Sequence, residues 1–200
     1  MTQVDIRNGR DDFISAGMPS LLEMTRRGRH YATMATSAVA GLVVRPTTVA
    51  ALELYNGNAA GGASLIVNRL FTHHLVSTAV NNGAVIYAMV TAAKVAPSSA
   101  SLAIKNMTGR SATYGALGGI GGGVVNAVGT TVADNGWFPY GPNYVGVNAA
   151  TPGGGWEANV LGNIIVPPGS SLCIHVVSSI VGDTFTSGAS WFEEIVEMDY

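Results

Sequence analysis

Residues 161–196, LGNIIVPPGSSLCIHVVSSIVGDTFTSGASWFEEIV, constrain the chain more than any other stretch. Ile164, Ile165 and Val166 are β-branched and suit a pleated surface. Pro167 and Pro168 have no backbone N–H, so a strand ladder must stop there, and Gly169 lets the chain turn. Beyond that corner Leu172, Ile174 and Val176 fall on one face of a strand, with Cys173, His175 and Val177 on the other. Residues 189–196 supply a closing strand with Trp191 and Ile195 on one side. Two strands joined by a corner that forbids pairing cannot stand alone, so the rest of the chain must supply sheet.

It does. Residues 50–55, 64–72, 84–91, 101–106 and 124–132 each have strand composition, and the Ala/Thr/Val-rich residues 31–50 are extended rather than helical because of Thr, Val, Gly41 and Pro46. Asn56 to Gly62 is a loop whose residues tolerate positive φ, and Asn81-Asn82-Gly83 has the chemistry of a hairpin turn. No long helical periodicity and no fixed-period repeat occurs. Seven to nine strands spaced every 10–15 residues predict an all-β, jelly-roll-like antiparallel β-sandwich.

Residues 1–30 differ from this pattern. They hold five of the ten basic residues, Arg7, Arg10, Arg26, Arg27 and Arg29. Leu21 to Met24 can begin a short helix, which Arg26-Arg27-Gly28-Arg29 ends within about two turns. The expected organisation is an N-terminal arm over 1–30 and a sandwich over 31–200, with the five arginines as the arm's contacts to a partner. The opening residues, MTQVDIRNGRDDF, are polar and charged, unlike a secretory signal, and no apolar run is long enough for a membrane helix.

Only 11% of the residues are charged, whereas 48% are hydrophobic and 26 are glycine. Typical domains carry about 25% charge. A chain this sparsely charged is better matched to a permanent assembly, which buries much of each subunit, than to a free monomer. The charges are also segregated. Residues 1–110 hold all ten Lys and Arg and five acids, a net of +5; residues 111–200 hold no Lys or Arg and seven acids, a net of −7. A positive surface on one subunit can thus meet a negative surface on its neighbour. The acids among the arm's arginines argue against nucleic acid as the main partner.

The motifs that could carry chemistry fail on geometry. The glycines of 115–123 lack the following Gly-Lys-Ser/Thr of a phosphate loop, and Val124-Val125 continues as strand, not helix. His73 and His74 are strand neighbours and point to opposite faces, as do Glu193 and Glu194. Cys173 is the only cysteine, so no disulfide or multi-cysteine metal site exists within the chain. No serine has the G-x-S-x-G setting. No enzyme chemistry, metal or cofactor is expected. The aromatic residues Trp137, Phe138, Tyr140 and Tyr144, set among Gly and Pro, and Trp156 are expected to form a surface-loop contact.

The segments LELYNGNAAGGASLIVNRL, IIVPPGSSLCIHV and ASWFEEI, over about residues 50–110 and 160–196, resemble structural proteins of tailed-phage virions. These are small jelly rolls of the tumour-necrosis-factor-like type, found as capsid decoration proteins, head fibres or tail-associated proteins. The resemblance implies a homotrimer without catalysis, located in the virion after assembly in the host cytoplasm. It implies as partners the chain itself and the major capsid protein or another virion protein. Capsid decoration is the leading expectation; a tail or fibre module that binds a glycan receptor is the alternative, and a jelly-roll coat protein a further one.

Overall fold

The computed structural model describes residues 21–77, 79, 83–92, 103–109, 124–144 and 154–196. A short helix, α1 (Leu21–Arg26), precedes eleven strands: β1 (His30–Met34), β2 (Val39–Ala40), β3 (Val49–Tyr55), β4 (Ser64–Val76), β5 (Ala84–Ala92), β6 (Lys105–Asn106), β7 (Val124–Thr131), β8 (Phe138–Tyr144), β9 (Gly155–Val166), β10 (Ser170–Ser178) and β11 (Thr184–Glu194). They form two antiparallel sheets. The first has the order β6-β1-β11-β4-β9, with β2 also on β11; the second has the order β7-β3-β10-β5-β8.

Setting aside β2, β6 and β7, eight strands remain, and their pairing has a simple rule. The first pairs with the eighth (β1·β11), the second with the seventh (β3·β10), the third with the sixth (β4·β9) and the fourth with the fifth (β5·β8). The chain is one long antiparallel ribbon rolled into two layers, which is the jelly roll the sequence predicts. Alternation then places the core between the layers. Leu52 and Leu54 of β3, Leu65, Val67 and Leu70 of β4, Ile86 of β5, Leu172 and Ile174 of β10 and Trp191 of β11 are all fully buried in one cluster. Each large aliphatic side chain there contributes about 1.5–3 kcal/mol.

The corner between β9 and β10 is built as the Pro-Pro-Gly signal predicts, with Gly169 at φ 78°. Asn56, fully buried at the end of β3, clamps it. Its Nδ2 donates to the carbonyls of Val166 and Ala63, its backbone N–H donates to Ser170 O, and its carbonyl accepts from Gly169 N.

Four local expectations need correction. Asn81 and Asn82 lie outside the described residues, and the strands on either side of them are not hairpin partners: β4 lies in the first sheet and β5 in the second. The loop predicted around Trp137 to Tyr144 contains β8; Pro139 and Pro142 are accommodated because β8 is an edge strand and needs few donors. The closing strand ends at Glu194, leaving Ile195 exposed rather than beside buried Trp191. Of the strand expected over 101–106, only Lys105–Asn106 is strand among the described residues.

The described end of the arm packs on the sandwich. Residues 21–29 are fastened to the sandwich: Met24 is buried, Arg29 O accepts from Glu193 N, and Gly28 O accepts from the Asn106 side chain. Residues 1–20, with Arg7 and Arg10, lie outside the described residues.

Candidate functional site

Of the arm arginines, Arg26 ends α1 and Arg27 follows it, both exposed, and Arg29 forms a 3.0 Å ion pair with Glu194. That pair joins the basic part of the chain to the acidic part within one subunit. The loop that Trp137 was expected to arm is differently made. Trp137 is buried against Ala50, Met89, Val132 and Cys173, and its Nε1 donates to Thr47 O at 3.0 Å. Trp156 is half-buried and meets Phe185 edge-on at 5.9 Å. The Tyr144 side chain lies outside the described residues. Only Phe138 and Tyr140 come together at a cavity.

That cavity follows from the strand order. β8 ends the second sheet and β9 ends the first, so the two edge strands face each other across the open side of the sandwich. They pinch together where a Cβ on Gly141 would lie 2.9 Å from Ala158 Cβ. Toward Phe138 and Ile164 they part, leaving a slot of about 280 Å³. Its walls include Val90, Phe138 and Tyr140 on one side and Asn163, Ile164 and Ile165 on the other, with Asn135 and Gly136 at the rim. Phe138 is 61% exposed, and its ring lies 3.4 Å from where a Gly136 Cβ would stand.

β9 is distorted beside the slot. Val67 pairs with Ile164 but Arg69 with Asn159, so one intervening residue of β4 faces four of β9. Within this bulge Leu161 has φ 48° and Gly162 φ 87°; Leu161 is the only non-glycine residue with positive φ among those described. Bulges re-aim side chains, and left-handed non-glycine backbone stores strain of about 1–3 kcal/mol.

Several titratable groups elsewhere are buried or half-buried, and burial shifts their titration. Ser171 Oγ donates to Glu53 at 2.7 Å, and burial raises the Glu53 carboxyl above its usual range against the opposing pull of that bond. Burial also raises the thiol of neighbouring Cys173. His175 accepts from Val176 N, and burial lowers its imidazole. Burial, then the Arg69 charge, lowers His30 to about 4. As alternation predicts, Glu193 is buried while Glu194 is partly exposed.

One cluster escaped sequence reasoning. His74 and Asp183, both fully buried, lie 3.8 Å apart, and Ser178 Oγ donates to the other carboxylate oxygen of Asp183. The end of β4 and the β10–β11 turn bring them together across more than a hundred residues, a distance no local pattern reveals. The serine is hydrogen-bonded to the acid and closed to solvent. Among the described residues no group of three or more His, Cys, Asp or Glu could hold a metal ion.

Comparisons with protein-family models, with curated proteins and with solved structures returned no match.

Proposed function

We propose that this chain is a non-enzymatic virion structural protein that decorates the outside of a phage head and cements neighbouring shell subunits, working as a homotrimer. The observation that carries the reading is the strand order, a complete jelly roll of the kind the resemblance implies. The surface supports it. The outward side of the first sheet carries Met34, Gly188 and Phe71 in one row, and its charges Arg69 and Glu157 are paired with each other at 3.2 Å. A broad face on which Arg69 and Glu157 neutralise each other, with Lys105 exposed at the β6 edge, suits contact between copies. Residues 1–20 would reach the shell, since residues 21–29 are already held by the sandwich.

Quantitative mass spectrometry of particles of the encoding phage should find the chain in stoichiometric amounts. Particles lacking it should burst at lower temperature or lower salt. Absence from particles, or unchanged robustness without it, refutes the reading. Deleting 1–20 should abolish attachment while light scattering still reports a trimer.

A further inference from the structure

We infer that the slot between β8 and β9 is a binding site for one ring of an uncharged saccharide. This stands independently of the shell-decoration reading: either can fail alone.

The lining selects the ligand class. None of the described residues that line the slot is charged. The nearest acid in sequence, Asp134, is held by Arg45 at 2.8 Å and by the Gly136 backbone N–H, which together with the guanidinium keep its carboxyl below the usual range. Among the described lining residues a phosphate or carboxylate would find no cation, and an ammonium group no anion. What the slot offers is an exposed aromatic face at Phe138, the phenol of Tyr140, the amides of Asn135 and Asn163, and an aliphatic floor at Ile164. Asn135 spends its Nδ2 on Val90 O at 2.9 Å, which fixes the side chain and leaves its oxygen to accept. An aromatic platform with two neighbouring amides, one of them fixed, matches a pyranose, which has a C–H face and a rim of hydroxyls.

The size and the backbone narrow it further. A volume of about 280 Å³ sits at the bottom of the usual ligand range of ~300–1,000 Å³, so one ring fits and a large ligand does not. An added peptide strand is a poor occupant: β8 has prolines at 139 and 142, and the β9 edge is broken by the bulge. The bulge itself gains a purpose, because the left-handed Leu161-Gly162 pair immediately precedes Asn163, Ile164 and Ile165 and sets their approach to Phe138.

The test uses the full chain with methyl glycosides of glucose, galactose and mannose and with N-acetylglucosamine. Glucose 6-phosphate and sialic acid serve as charged comparators. Saturation-transfer NMR should detect at least one neutral sugar, and its addition should shift the methyl signals of Ile164 and Ile165. Phe138→Ala should weaken that binding about 2- to 10-fold, the scale of one lost aromatic contact. Asn163→Ala, at an exposed position that leaves the core intact, should weaken it as well and stands in if Phe138→Ala does not fold. Binding of no neutral sugar, preference for the charged comparators, or binding unchanged in both variants overturns the inference.

Discussion

Replacing Gly188 with alanine tests how tightly the first sheet is built. The new Cβ would lie 2.2 Å from the Phe71 ring and 2.5 Å from Thr33 O. Ordinary contact begins at 3.4 Å. Something must therefore move by about 1 Å on each side, well beyond what a close-packed sheet absorbs freely. The Phe71 ring can rotate away. The Thr33 carbonyl cannot follow as cheaply, because Met34 pairs with Gly188 and Thr33 with Ala189 in the β1·β11 ladder. Overpacking costs about 1–3 kcal/mol, and a backbone obstacle places this variant in the upper half of that range. For a domain of this size each kcal/mol is worth ~2–4 °C, so the melting temperature should fall by about 4–12 °C. Combining Phe71→Ala with Gly188→Ala should recover less than half of the loss, since the carbonyl clash remains. Calorimetry and urea denaturation measure both. An unchanged melting temperature in the single variant, or full recovery in the double variant, would refute the reasoning.

Asn56→Ala should cost about 1–3 kcal/mol in urea denaturation, because it removes the buried bond to Val166 O, whereas Ala63 O keeps its bond from the Asn58 side chain. Glu53 should make stability fall with rising pH: its folded carboxyl titrates above its unfolded value, so the unfolded state loses its proton first. The loss begins near the ordinary carboxylate range and levels off above the folded value. Glu53→Gln should abolish that slope, and a slope that persists would assign it to another group. Cys173, buried with its thiol titrating high, should not react with a thiol reagent in the native chain but should react on unfolding.

The strands of the core were legible because burial on one face imposes a period of two, and Leu172/Ile174, Leu52/Leu54 and Leu65/Val67 carry that period openly. The Pro-Pro-Gly corner was legible for a similar local reason, the missing N–H groups. β8 was not. Its Pro and Gly resemble a loop until one knows that it sits on an edge, and edge position is a property of the whole sheet. The burial of Trp137 was not legible for the same reason: nothing near it in sequence says that Thr47 waits to accept its indole N–H.

By itself the sequence determined an all-β chain, its principal strands, the turn at residue 169 and the sparse, segregated charge, all of which depend on side-chain chemistry at short range. Only the tertiary structure decided which strands pair, and hence everything that depends on pairing. It joined His74 to Asp183, turned Trp137 and Trp156 inward, and set β8 opposite β9. It also made a slot between residues that had no reason to meet until the ribbon rolled up. Contacts across the fold are selected by the packing of entire faces, and a face exists only once the sheets have formed.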